Sequence, residues 1–148
     1  MRAIILSAVA LALGACTQAP QPMTQEQLVA RGDYLVNNVV LCGDCHTPMG
    51  PQGPDLSRRL QGAPNITRPT IELPFPWATE VPPIAGIPAH FTQDQFISFL
   101  QTGVRPDGSH PSPPMPPYRL NEEDARSVAA YIATLPRGDG AAPATPAP

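Results

Sequence analysis

Apolar residues recur at helical spacing in three stretches of the chain, and the first stretch follows a helix-start signal. Thr24 and Gln27 have the form of a capping box, in which each side chain bonds the backbone of the other residue. A stripe of apolar residues then continues at three- and four-residue intervals. The pattern predicts a helix that runs from this cap to just before Cys42.

Two further helices are predicted in the second half of the chain. Thr92 opens an apolar stretch rich in phenylalanine, and Gly103 suits the position after its end. Asn121 opens the next, which has acidic residues in its first turn and stops at Pro136. Residues 63–88 form a long proline-rich loop without strand alternation. We therefore predict an all-α fold with three or more helices and long connecting loops.

The composition limits the length of the helices and the class of partner that we expect. Proline supplies 22 of 148 residues, about three times its usual share, so long regular elements cannot fill the chain. The formal net charge of −3 offers no basic surface, and we expect no nucleic-acid partner. We expect a folded body at residues 24–136, and a disordered Ala/Pro-rich tail at residues 137–148.

The N-terminus has the pattern of an export signal. A positively charged start precedes an apolar run over residues 3–13, too short to span a bilayer as a folded helix. The run ends at Cys16 in a sequence that looks like a bacterial lipobox, where the cysteine is lipidated and becomes the first mature residue. We expect a lipoprotein signal at residues 1–15 and a tether at residues 16–23. Ordinary signal cleavage nearby is the alternative.

The strongest chemical signal is the run Cys42-Gly43-Asp44-Cys45-His46. Two thiols three positions apart can each add across a vinyl group of one haem, and the histidine after the second thiol is held against the iron. The run predicts one haem c, attached covalently through Cys42 and Cys45, with His46 as an iron ligand.

Other uses of a Cys-x-x-Cys pair fit this chain less well. A zinc site would need a second pair of ligands at matching spacing, and only Cys16, His90 and His110 remain. A thioredoxin-like pair would be expected beside a βαβ pattern, and none is visible. A structural disulfide is the third alternative. His90, just before the second apolar stretch, is expected at the surface.

The second iron ligand must come from the opposite face of the haem. Met115 lies between two proline pairs, which restrict its backbone and can hold its thioether on the iron. Methionine with histidine is an established ligand pair of cytochromes c. His110 is the alternative ligand. Met49 is too near His46, because three residues reach only about 10 Å.

From about residue 25 to residue 136 the chain resembles small bacterial class I-type cytochromes c, similar to the haem domains in cytochrome subunits of membrane dehydrogenases. The resemblance implies a cytochrome c-like fold wrapped around one haem. The stretches that carry it are Gly32 and Tyr34, Cys42 to Pro48, Gly53 to Leu56, Asn65 to Thr67, Phe91 to Gly103, Pro113 to Pro116, and Glu123 to Leu135.

The resemblance also implies individual roles. The carbonyl of Pro54 would accept a hydrogen bond from the His46 ring and so fix its orientation, with the nearby Pro48 and Pro51 as alternatives. Gly32 and Tyr131 would lie where the first and last helices cross. The chain departs from the family across residues 69–83. In that segment Trp77 either shields the haem, contacts a propionate or packs loosely.

These features predict an electron carrier rather than an enzyme. With both axial positions filled, no iron position is free for a substrate. We expect single-electron transfer in the bacterial periplasm, with a dehydrogenase, an oxidase or another cytochrome as partner and a lipid anchor in the membrane. The alternatives are an accessory haem subunit of a dehydrogenase or oxidase complex, and a haem-based sensor or peroxidase-like enzyme with an open distal site.

Overall fold

The structure, a computed structural model, describes residues 21–64 and 68–138. The predicted signal segment, Cys16, the first part of the tether, most of the C-terminal tail and the loop Asn65 to Thr67 lie outside the described residues. In the described ranges no helix is both long and apolar enough to cross a membrane.

The described residues form four α-helices and very little strand. A π-helical segment, Leu35–Val39, extends the first helix, and a 3-10 turn covers Leu56–Arg58. Two short strands, β1 (Met49–Gly50) and β2 (Gly53–Pro54), pair antiparallel. The α-helices are α1 (Gln25–Tyr34), α2 (Cys42–His46), α3 (Gln93–Thr102) and α4 (Glu122–Thr134).

The predicted starts of the three helices and the end of α3 at Gly103 are confirmed, whereas α1 ends at Tyr34 and only its π-helical extension continues, to Val39. Thr24 and Gln27 form a reciprocal capping box at α1, and Thr92 opens α3 in the same way. Gly103 ends α3 in the left-handed conformation, at φ 71°. Asn121 caps α4 by accepting a hydrogen bond from the backbone of the third helical residue at 2.8 Å. Local sequence therefore sets where these helices begin and end.

The first and last helices cross at Gly32, as predicted. A β-carbon at Gly32 would overlap the backbone carbonyl of Ser127 and lie 2.7 Å from the β-carbon of Tyr131. Beside this crossing, the Arg31 guanidinium on α1 contacts the Asp124 carboxylate on α4, with Nη2 and Oδ1 2.5 Å apart. Only glycine allows the two backbones to approach this closely.

The hydrophobic core lies between α4, α3 and the π-helical segment. One side of α4 is almost completely buried, including Val128, Ala129 and Ile132, while Leu135 is half-buried. Leu60, from the loop after α2, is fully buried in this core. The open side of this core faces a cavity that carries the candidate site.

Candidate functional site

The helix α2 presents its three chemical groups to one cavity. Leu41, in the left-handed conformation at φ 57°, separates the π-helical segment from α2. On a helix, residues three and four positions apart lie on one face. Cys42, Cys45 and His46 have this spacing, and all three line the cavity. A single helical turn therefore brings both thiols and the imidazole of the Cys-x-x-Cys-His run to the same cavity.

Both cysteines of α2 are free thiols that differ in exposure. Cys42 is buried and Cys45 is exposed. Burial raises the pKa of the Cys42 thiol to about 11, so this group is protonated at neutral pH. One thiol thus faces the interior of the cavity and the other lies near its mouth, and both are available for covalent attachment.

The ring of His46 is buried and fixed by one hydrogen bond. Its Nδ1 lies 2.8 Å from the carbonyl oxygen of Pro82. Burial lowers the pKa of His46, partly opposed by this hydrogen bond, so the ring is neutral. Because a carbonyl can only accept, Nδ1 carries the proton and Nε2 keeps its lone pair. The arrangement makes Nε2 the nitrogen that can bind a metal.

The predicted role of Pro54 is wrong. Pro54 is exposed, pairs with Met49 in the short hairpin, and is not among the described residues that line the cavity. Pro82 instead supplies the carbonyl to His46. Pro82 lies in the segment 69–83, where the chain departs from the family that it resembles. No motif in that segment therefore marks Pro82 as the partner of His46.

The predicted distal ligand lies on the wall of the same cavity. Met115 is half-buried, and its backbone N–H donates to the carbonyl of Ser112 at 3.2 Å. The carbonyl of Pro113 accepts a hydrogen bond from the backbone of Ala78 at 2.7 Å. One segment, residues 78–82, therefore bonds both the loop that carries Met115 and the ring of His46.

The other ligands considered lie in less suitable places. His110 is exposed, and its Nδ1 lies 3.0 Å from the carbonyl oxygen of Gly103. His90 lies at the rim of the cavity, exposed and stacked at an angle on Phe91. Met49 is 70% exposed in β1. Among the described residues of the cavity wall, Met115 is the one thioether.

Aromatic and aliphatic side chains make up most of the remaining wall. Phe91 contacts Phe96 and Phe99, with ring centroids 5.6 and 5.4 Å apart. Tyr118 also lines the cavity, and its hydroxyl donates to the carbonyl of Val40 at 3.2 Å. This bond ties the loop after Met115 to the residues just before α2. Sequence analysis did not single out Tyr118. Arg105 is another cavity residue.

The donors present fit a covalently attached haem. Two thiols on one helical turn match the two vinyl groups, and a neutral imidazole with a free Nε2 stands directly beside them. A thioether in the same cavity supplies a soft second donor. The apolar wall suits a large flat macrocycle and keeps water from its iron.

A comparison with known families agrees with this chemistry. The family model for cytochrome c matches residues 29–136. The chain belongs to the cytochrome c family. The predicted family and the all-α cytochrome c-like fold are thereby confirmed. The cytochrome c domain implies covalently bound haem c and supports haem-based electron transfer.

Two curated relatives are similar to the same part of the cytochrome. A diheme cytochrome c-type protein of Cereibacter sphaeroides is 33% identical over 113 residues, covering 72% of this chain and 35% of the relative. The fructose dehydrogenase cytochrome subunit of Gluconobacter japonicus is 35% identical over 111 residues, covering 72% and 21%. The chain thus spans about a third and a fifth of these relatives.

Proposed function

We propose that this domain carries single electrons between redox proteins in the bacterial periplasm, using one haem. Cys42 and Cys45 hold the haem through thioether bonds, and His46 and Met115 bind its iron. The observation that most supports this proposal is that one cavity gathers both thiols, the fixed imidazole and the thioether.

The protein holds both donors in place while the oxidation state changes. When bound, the haem supplies a one-electron couple at its iron. Pro82 keeps the His46 ring in one orientation, and the prolines around Met115 limit the movement of its backbone. Because methionine is a soft donor, it favours ferrous iron and a potential above that of a bis-histidine haem. With both positions filled by side chains, no site is left for a substrate.

A dehydrogenase is the partner class that the relatives favour. The similarity to a cytochrome subunit of fructose dehydrogenase supports a role as haem subunit or electron acceptor of such an enzyme. The alternatives differ in assembly, so affinity purification of the tagged cytochrome from native membranes separates them. A stable complex with a dehydrogenase supports the subunit role, whereas a monomer supports a free carrier.

The proposed location depends on Cys16, which we assign as the lipidated residue of a periplasmic lipoprotein. Metabolic labelling with a fatty acid should label the wild-type protein, and Cys16→Ser should lose the label with its haem content unchanged. If the variant is labelled as strongly as the wild type, or if the wild type takes up no label, Cys16 is not the lipidated residue.

Two matched variants test the distal ligand. Met115→Ala should lose the ferric methionine–sulfur charge-transfer band, lower the potential and let the ferrous form bind carbon monoxide. His110→Ala should keep the wild-type spectrum, because His110 is bonded to Gly103 away from the cavity wall. The opposite pattern would identify His110 as the ligand and overturn the assignment of Met115.

A further inference from the structure

A short rigid turn places one arginine in the wall of the haem cavity. Arg105 follows the end of α3 and begins the turn Arg105-Pro106-Asp107-Gly108. The Gly108 N–H donates to the Arg105 carbonyl at 2.9 Å, and the Arg105 N–H donates to the Ser109 carbonyl at 2.8 Å. Pro106 fixes its own φ, and Gly108 adopts φ 83°, a conformation that favours glycine. The hydrogen bonds of this turn therefore hold the backbone of Arg105 in place at the cavity wall.

Only one edge of the Arg105 guanidinium is used by the protein. Nη1 donates to the Ser109 hydroxyl at 3.2 Å and also to the carbonyl of His110. In residues 21–64 and 68–138, no hydrogen bond uses Nε or Nη2, and no carboxylate lies within ion-pair distance of this arginine. Three of its five donor hydrogens therefore remain available for a ligand.

The charge of Arg105 is unusual in this wall. Of the described residues that line the cavity, Arg105 is the one permanent cation. Apart from the residues of α2 and Tyr118, the other titratable side chains in this wall are Glu80 and His90. Asp107, in the same turn, attracts this cation electrostatically but forms no ion pair or hydrogen bond with its side chain. A half-buried cation with free donors is best stabilised by an anion that forms a forked hydrogen bond. The haem brings two such anions, its propionate carboxylates.

We propose that Arg105 binds a haem propionate through its free Nε and Nη2 donors. This inference rests on haem attachment at Cys42 and Cys45, and it does not depend on Met115 as ligand. Arg105 also donates to the carbonyl of His110, in the loop that leads to Met115. The same side chain therefore positions both the edge of the haem and the start of its distal loop.

The test uses the matured holoprotein and three substitutions. Arg105→Gln removes the charge, Ser109→Ala removes one loop-closing bond but keeps the charge, and Arg126→Gln removes an exposed charge on α4. We expect Arg105→Gln alone to lower the midpoint potential and shift the propionate-bending bands in resonance Raman spectra. The potential falls because loss of a nearby cation favours the ferric state, which is more positive.

Unchanged potential and Raman bands in Arg105→Gln would overturn the proposal, as would equal shifts in Ser109→Ala. Should Arg105→Gln fail to mature, Arg105→Lys decides, because lysine keeps the charge but not the fork. It should retain most of the potential and still shift the propionate bands, and unchanged bands would contradict the proposal. The methionine charge-transfer band, recorded for each variant, reports failure of the axial-ligand assignment separately.

Discussion

The helices and the loops of this cytochrome hold the haem cavity in different ways. In the helical frame, defined as α1, α3 and α4, backbones touch and small buried residues fill the crossing, as at Gly32 and Ser127. In the ligand loops, defined as residues 78–91 and 103–118, single hydrogen bonds accepted by the carbonyls of Pro82 and Pro113 position the ring of His46 and the loop of Met115. The frame therefore sets stability, whereas the loops set the chemistry of the iron.

The largest expected loss of stability comes from disrupting the helix crossing in the helical frame. Gly32→Ala should destabilise the holoprotein by more than about 3 kcal/mol, above the usual range for overpacking, because the new methyl group meets backbone that cannot rotate away. The loss of unfolding free energy is measured by denaturant unfolding followed by circular dichroism. Gly43→Ala is the matched control, since a β-carbon at this helical position meets only the Thr47 hydroxyl at 3.5 Å. Equal stability of the two variants would contradict the close crossing.

The next effect concerns Leu60, a core residue outside the helical frame that bonds the first ligand loop. Leu60 is fully buried, and its carbonyl accepts hydrogen bonds from Ile84 and Ala85 of the first ligand loop. Leu60→Ala should cost about 3 kcal/mol in unfolding free energy because it leaves a cavity. Leu56→Ala, at a side chain 71% exposed in the same region, should leave stability near that of the wild type. A small loss for Leu60→Ala would mean that the loop packs independently of this side chain.

A smaller effect tests the polar contact at the helix crossing. Asp124→Asn weakens the pair with Arg31 and should cost about 1 kcal/mol, because this contact is short and partly buried. Glu122→Gln removes the exposed pair with Arg126, whose atoms are 3.8 Å apart, and should cost nothing measurable. Thermal unfolding of the two variants at low and high salt provides the comparison. A larger loss for Glu122→Gln would reverse this ranking.

The smallest effect on stability should come with a clear effect on the haem. Pro82→Ala keeps the carbonyl but frees the backbone, and should cost about 0.5 kcal/mol. The weaker bond to His46 makes the imidazole less basic, which disfavours ferric iron, so the midpoint potential should rise. Pro54→Ala should leave the potential unchanged, and protein-film voltammetry measures both. A shift in Pro54→Ala alone would restore the role that the sequence assigned to Pro54.

The same contrast explains which features were predictable from the sequence. Thr24, Thr92 and Asn121 signal helix starts because a cap and the helix that it opens are neighbours in the chain. The family resemblance identified the crossing at Gly32, and the proline pairs around Met115 drew attention to that residue. All of these signals are short-range or belong to known motifs.

The bond from Pro82 to His46 joins residues 36 positions apart, and its acceptor is a backbone carbonyl. Every residue carries such a carbonyl, so side-chain identity gives no sign of which one is used. Which proline carbonyl accepts the hydrogen bond from His46 therefore depends on how the loop of residues 78–91 folds back to the cavity. The place of Arg105 in the cavity wall was not predicted for a related reason, because it follows from the turn that carries this residue.

The central claim is that the ligand loops hold His46 and Met115 on the haem iron together. Optical spectra of the matured wild-type holoprotein test it most directly, recorded in the ferric state and in the ferrous state with and without carbon monoxide. The account predicts a ferric methionine–sulfur charge-transfer band and no change on adding carbon monoxide. An absent band with ready binding of carbon monoxide would contradict it and indicate an open distal position.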